Sequence, residues 1–398
     1  MADHIPFVFT PGDCRILNTF YQDSVMVRIS LQGKDKTVQN LPQGPGLWVD
    51  GGVDGLHGWK PQRTDRDGKE TDFYEAYDKY IERFPGYEKI GDPDYQTSAK
   101  NEIVKPFVES VLDECFRVTP QPKWVSIPQL PMVNNSSRNR INRLLAQNAA
   151  DWRKTRNYTG KLILPVIFTH RKQVNLKTLR KGPLAKECYE LAGAQGIWVA
   201  ESTLDDQEGS GPLENRFQGL VQFHLELAKL LPPDAIRVAG PYWGMNLILW
   251  ARGLIHYPAI GLGGAYQYRI PGPGPSPAKD RVALSPLRRL AVASPELKRW
   301  LSTVLTKIQK GDVAYTEFDE LLRIVGQGQP LPKNQVAKFY KKWFVDLASV
   351  PHNGRALALY QDFSKAFVLG RSLPTLPAAE GTARRPERVA QQLMLNCL

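Results

Sequence analysis

The chain has 398 residues, 42% of them hydrophobic, with 52 Lys and Arg against 40 Asp and Glu, for a formal charge of +12. This composition excludes a disordered chain and suffices for one large α/β domain or two smaller ones, and the basic excess points to a polyanionic partner, nucleic acid ahead of a membrane surface. No apolar run approaches the roughly 18 residues of a membrane span, and MADHIPFVF lacks the basic start and long apolar stretch of a secretion signal, so a cytoplasmic protein is expected.

In chain order, SVMVRISL, GLWVD, KWVSIPQ, LILPVIF, GIWVAE, IRVAG and AIGLGG form seven strand candidates, and the eighth is either IPFVF at 5–9 or AYQYRI at 265–270. Between them NEIVKPFVESVLDECF, RNRINRLLAQNAADWRK, PLAKECYELAGA and RFQGLVQFHLELAKLL carry helical periodicity. Strands alternating with helices in this way predict an α/β fold, a (β/α)8 TIM-type barrel over residues 1–270 rather than a doubly wound sheet. No GxGxxG strand-to-helix turn and no GxxxxGK[ST] loop is present, which leaves dinucleotide and phosphate-loop folds without support.

PGPGPSP at 271–277 forbids regular structure and divides that catalytic barrel from a basic helical region, 271–398, which is expected to bind nucleic acid. The second part holds 19 Lys and Arg against 10 Asp and Glu, +9 of the total charge. Within it RVALSPLRRLAV, SPELKRWLSTVLTKIQK and PKNQVAKFYKKWFVDLA are predicted as helices with basic faces, while PTLPAAEGTARRPER is predicted as a connection. Arg288, Arg289, Lys298, Arg299, Lys338, Lys341 and Lys342 are the candidate phosphate contacts, residues that would position a nucleic acid without reading it.

Cys14, Cys115, Cys188 and Cys397 are scattered, with no CxxC pair and no histidine at ligand spacing, so they are expected to be buried small hydrophobes or incidental surface thiols, and no metal or cofactor is expected.

Barrel chemistry sits where the strands end, and there the chain is polar. WVDGGVDGLHGW brings Asp50, Asp54 and His57 among four glycines, which permit a sharp turn and a close backbone approach to a ligand. Later strand ends bring Gln129, Asn134, Asn135 and Arg138, then Thr169 and His170, then Glu201, then Tyr242, Trp243 and Asn246, and last Tyr266, Gln267, Tyr268 and Arg269. Carboxylates, amides and aromatics around one mouth suit a flat heteroaromatic ring held by stacking and edge hydrogen bonds. Asp-Gly and Gly-Gly steps also form turns, and either aspartate could cap the next helix. Trp48 is expected to alternate outward and pack in the core; Trp59 could stack on a base or anchor the turn.

The order of these segments resembles the tRNA-guanine transglycosylase superfamily, barrel enzymes that break a nucleobase N-glycosidic bond. VDGG resembles the family's DSGG, which nominates Asp50. VSIPQL followed by AADWRK puts Gln129 near the base-reading position, and ELAGAQGIWVAES puts Glu201 near the base-binding backbone. Where the family has a base-contacting glutamine this chain has Thr169 and His170, and in YWGMNLILWARGLIHYPAIGLGG the covalent aspartate is replaced by glycines and aliphatics between Ile260 and Gly264. The zinc-binding CxCxxC is missing as well.

The resemblance, over residues 20–270, therefore implies a zinc-free branch. Without a covalent nucleophile, water is the expected acceptor, and the implied activity is a DNA glycosylase acting on a modified base, such as the glucosylated cytosine of phage DNA, in antiviral defence. Asp50 would stabilise the sugar cation or activate water, with Asp54 and His57 as its shell or as the acid for the leaving base. Gln129, Asn134, Arg138, His170, Glu201, Tyr242, Trp243, Tyr266, Tyr268 and Arg269 are the candidate substrate contacts, and the base would be flipped out of its stack to reach them. DNA is favoured over tRNA. Base exchange with a deazapurine, a non-catalytic nucleic-acid-binding barrel, and a sugar hydrolase using Asp50 with Glu201 are the rival readings.

Overall fold

The computed structural model describes residues 4–8, 11–31, 34–51, 83–91, 100–132, 136–168, 181–201, 213–262, 280–327, 330–377 and 384–398. Eight parallel strands close in chain order into a barrel: β1 (Ile5–Val8), β2 (Met26–Ser30), β3 (Gly46–Asp50), β4 (Trp124–Ser126), β5 (Lys161–Phe168), β6 (Gly196–Glu201), β7 (Ile236–Ala239) and β8 (Tyr257–Gly261). β1 closes the ring, with Phe7 opposite Arg28 on one side and Ile5 opposite Ala259 on the other. The eighth strand is thus IPFV, and residues 265–270 lie outside the described residues.

Both faces of each strand are covered, which is why the strands read as continuous apolar runs. One parity, including Phe7, Met26, Trp48, Ile167, Trp198, Val238 and Ala259, fills the barrel. The other, including Val27, Val49, Val125, Leu164, Val199 and Ile260, packs on the helices. Trp48 therefore points inward, not outward, on the same side of β3 as Asp50 two residues on.

Among the described residues the helices between strands are α1 (Cys14–Phe20), α2 (Lys34–Val38), α3 (Tyr87–Gly91), α4 (Asn101–Phe116), α5 (Ser136–Thr155), α6 (Gly182–Leu191), α7 (Leu213–Leu230) and α8 (Met245–Ala251). Beyond β8 the segment RVALSPLRRLAV is not helical. It is an antiparallel hairpin of β9 (Arg281–Leu284) and β10 (Arg289–Val292), with Leu284 opposite Arg289. The turn runs through Ser285–Leu287, and Arg288 takes a left-handed φ of 53°. The run looks helical because the hairpin is buried on two sides: Val282 and Leu284 face one core and Ala283 faces the other, so polar residues do not alternate.

α9 (Pro295–Leu305) and α10 (Val313–Ile324) follow, then α11 (Leu331–Ser349), α12 (Arg355–Ser372) and α13 (Arg388–Met394). Ser294 caps α9 by accepting from Leu297 N–H, and Asp312 caps α10 by accepting from Ala314 N–H. These two helices and the hairpin form a satellite core around Leu287, Trp300, Phe318 and Leu321.

α11 fills the place of the eighth barrel helix, between α8 and α1. The Tyr21 hydroxyl, at the end of α1, donates to Ala337 O at 3.0 Å, and the Tyr340 hydroxyl donates to Asn246 Oδ1 of α8 at 2.6 Å. Phe344 lies 4.9 Å from Trp250, ring to ring, and 4.6 Å from His4. A boundary at residue 271 therefore cuts the ring: α11, α12 and α13 supply Tyr340, Trp343, Phe363 and Leu393 to the same core as the barrel helices. The hairpin with α9 and α10 is an insertion before the closing helix, with a core of its own on one side and the main core on the other.

A chain ending at residue 270 would thus leave the inner faces of α1 and α8 bare. A fragment of residues 1–270 is expected to show no cooperative thermal transition by circular dichroism, whereas the full chain unfolds cooperatively.

Two buried imidazoles set an acid limit. His4 lies edge-on to Tyr21 and Phe344, and His224 lies on α7 beside Phe223, with no hydrogen-bond partner for either of its ring nitrogens among the described residues. Burial pushes both from 6.5 down to about 3, helped by the charges of Lys341 at His4 and Arg237 at His224. The unfolded chain takes up these protons near 6.5 and the folded one only near 3, so their contribution is complete above pH 6.5 and is lost as the pH falls towards 3. Urea midpoints measured at pH 7 and pH 4.5 are expected to fall with acid, and His224→Leu is expected to reduce that fall.

Candidate active site in the barrel interior

Two inward charged residues converge at the C-terminal half of the barrel. Arg28 of β2 reaches Asp50 at the end of β3, with Nη2 2.7 Å from Oδ2 and both side chains fully buried. The register explains the reach: Arg28 pairs with Trp48, and Asp50 is the next inward residue along β3. The guanidinium lies over two rings, 4.6 Å from the Phe7 centroid and 4.7 Å from that of Trp198. A cation enclosed by aromatic faces gains about 2 kcal/mol or more when desolvated, and its anionic partner offsets the larger cost of burying the charge.

The rings are themselves fixed. Trp48 Nε1 donates to Ser126 Oγ at 2.8 Å, and Trp198 Nε1 donates to the Gly240 carbonyl at 2.7 Å. Phe7 and Trp198 meet Trp48 edge-on at 5.3 and 5.7 Å. Gly51, the first glycine of VDGG, is required by space: a Cβ there would come within 2.2 Å of the Ser126 carbonyl oxygen, so the backbone leaving Asp50 can pass β4 only without a side chain.

Gln129, just beyond β4, is also fully buried. Its Nε2 donates to the Asn142 carbonyl of α5 at 3.1 Å, and Asn142 brackets the next residue by accepting from Leu130 N and donating to Leu130 O. Gln129 Oε1 has no hydrogen-bond partner among the described residues. Glu201, at the end of β6, is buried too, but the alternation that places Trp198 and Ala200 inside the barrel places it with Val199 on the helix-facing side. There it neighbours Tyr242, whose hydroxyl donates to Val199 O at 3.2 Å and is driven well above its usual range by burial and then by the Glu201 charge.

The other aromatics of the strand ends are committed to packing. Trp243 is enclosed, donating Nε1 to Arg288 O at 2.8 Å and stacking on Phe339 at 6.0 Å, and Tyr242 is equally buried. Neither offers a face to a base. Asn246 donates Nδ2 to Ala259 O at 2.7 Å and accepts from Tyr340. Asp54, His57, Asn134, Asn135, His170, Tyr266, Tyr268 and Arg269 lie outside the described residues, as does the side chain of Arg138.

Of the candidate phosphate contacts, Arg288, Arg289 and Lys341 are engaged within the protein, whereas Lys342 and Arg299 stand in exposed pairs. Arg288 makes a two-pronged pair with Asp362, both N–O distances 2.7 Å, and lies over Phe339 and Trp343. Arg289 is fully buried and donates to Arg385 O at 3.0 Å, out of reach of any phosphate. Lys341 pairs with Asp23, Lys342 with Asp346 and Arg299 with Glu296. Lys298 and Lys338 are exposed and belong to no ion pair among the described residues.

The four thiols are buried, and burial pushes Cys14 up to about 11 and Cys188 and Cys397 up to about 12, which leaves them unreactive. Among the described residues no group of three or more His, Cys, Asp or Glu side chains could hold a metal ion, and no helix is long and apolar enough to cross a membrane. Arg28 went unrecognised in the sequence, although its signal is visible: it is the one cation in the apolar run MVRIS, at the parity of Met26 and so on the inner face.

Compared with protein-family models and with curated proteins, the chain matches none.

Breaking a buried pair strands a charge, at a cost of about 3–5 kcal/mol. Asp50→Ala and Arg28→Ala are each expected to lower the unfolding free energy by about that amount, whereas Arg28→Met with Asp50→Leu is expected to lose less than either. Urea denaturation of the four proteins, read as a double-mutant cycle, checks the coupling.

Proposed function

We propose that the protein is an N-glycosylase that hydrolyses the bond between a modified base and its sugar in DNA, with Asp50 as the carboxylate at the sugar. The observation that carries this reading is the position of Asp50: an inward carboxylate at the C-terminal end of a strand in a closed eight-stranded parallel barrel, the end at which barrel enzymes work. The VDGG resemblance nominates the same residue. Support for a nucleic-acid partner comes from the net charge of +12 and from the exposed Lys298 and Lys338.

In the reaction the C–N bond breaks with its electron pair going to the base, which also gains a proton. Water adds to the sugar carbon and gives up a proton, leaving an abasic site. Asp50 as an anion favours the positive charge that develops on the sugar, or accepts the proton from the attacking water. Gln129 Oε1, a buried acceptor with no partner among the described residues, suits a donor on a base edge.

A second reading, a barrel that binds nucleic acid without catalysis, is favoured by the complete enclosure of Arg28 and Asp50. Incubation with unmodified DNA, phage DNA carrying glucosylated cytosine, and bulk tRNA separates the two, with freed bases identified by mass spectrometry and abasic sites counted. Base release from the modified DNA is expected, and Asp50→Asn, which keeps the shape of the side chain, is expected to slow it by about 100-fold or more. Salt-dependent binding with no base freed from any substrate would establish the second reading.

A further inference from the structure

We propose that Arg28 is the positioning residue of this site: it holds the Asp50 carboxylate in one orientation and favours its anionic form, so that the proton received by the departing base comes from another group. The inference rests on the reading of Asp50 as the carboxylate at the sugar.

The geometry leads there in three steps. First, the pair is not needed to fill the barrel. Similar interiors are packed with aliphatic side chains, and replacing a buried ion pair by well-packed apolar residues is often neutral or stabilising, so the charges call for another reason. Second, the guanidinium has little freedom. Phe7 and Trp198 lie against it at 4.6 and 4.7 Å, Trp198 is tied to Gly240 and Trp48 to Ser126, so the nitrogen facing Asp50 is set by a chain of packed and hydrogen-bonded groups running through β1, β3, β4 and β6. Third, the guanidinium does not lose its proton in a protein, so the anion opposite it is never without its counter-charge.

Among the described residues Arg28 on β2 pairs with Asp50, and the Cys115 thiol on α4 is kept protonated by burial together with the Asp50 charge. Asp50 is therefore suited to orient water or to face a sugar cation, and unsuited to donate a proton. A lysine in place of Arg28 would keep the charge but not the flat fork that fits between two rings.

Single-turnover base release from glucosylated-cytosine DNA, followed against pH, tests this with Arg28→Gln and Arg28→Lys. Arg28→Gln is expected to move the acid limb upward by about one pH unit or more, because a neighbouring arginine normally depresses a carboxylate by that much. Arg28→Lys is expected to leave the limb in place and reduce the rate by about tenfold, the loss of orientation without the loss of charge. A purely structural arginine would not move the limb, and either an unmoved limb in Arg28→Gln or a wild-type rate in Arg28→Lys would overturn the proposal. If Arg28→Gln does not fold, Arg28→Lys decides through its rate.

If the wild-type protein frees no base, the glycosylase reading fails, and the carboxyl 13C titration of Asp50, identified by its absence in Asp50→Asn, still decides the role of Arg28. A midpoint that rises in Arg28→Gln supports it, and an unchanged midpoint rejects it.

Discussion

The enclosed Arg28–Asp50 pair constrains everything around it. A guanidinium and a carboxylate with no solvent contact require opposite charge at hydrogen-bond distance, and the 2.7 Å contact across β2 and β3 meets that requirement. The remaining volume must then be filled by groups that tolerate a cation, and Phe7 and Trp198 do so with their faces. Large rings in a narrow barrel need fixed orientations, which the Ser126 hydroxyl and the Gly240 carbonyl supply. Even the glycine after Asp50 follows, since the backbone must pass the Ser126 carbonyl.

Around this interior the ring of helices is completed from a distance in the chain. α11 is separated from β8 by a hairpin and two helices with a core of their own, yet it packs against α1 and α8 as a barrel helix would. The insertion is joined to the ring through polar contacts as well: Gln335 of α11 accepts from Ala283 N and donates to Ala283 O, at 2.8 and 2.9 Å, and Arg288 in the turn is held by Asp362 of α12. Part of the positive charge in this part of the chain is thereby held by internal partners. Net charge counts Arg288, Arg289 and Lys341 as available to phosphates, although two are held by carboxylates and one by a backbone carbonyl.

The polar residues at the strand ends likewise separate into classes that residue type alone does not distinguish. Asp50 and Glu201 both end strands and both are buried, but one faces the lumen and its arginine while the other faces the helices and Tyr242. A two-carboxylate sugar hydrolase, which needs both acids across one cleft, loses its second member on parity. Gln129 keeps an acceptor with no partner among the described residues, whereas Tyr242, Trp243 and Asn246 are bound into the packing between β6, α8 and α11.

From sequence alone the barrel was legible, because two-sided burial writes parallel strands as uninterrupted apolar runs separated by helical periods. The place of Asp50 at the end of a strand was legible as well, since an acid between an apolar run and a pair of glycines is a local pattern. The hairpin at 281–292 was not, because burial on both faces removes the alternation that marks a strand. Nor was the inward turn of Trp48, whose direction depends on which parity the closed ring assigns to its interior. The partnership of Arg28 with Asp50 and the return of α11 to close the ring join residues far apart in the chain, and only packing in three dimensions sets them. Local periodicity records which residues are buried, but the partner of a buried charge is chosen by the register between strands, and that register exists only once the barrel has closed.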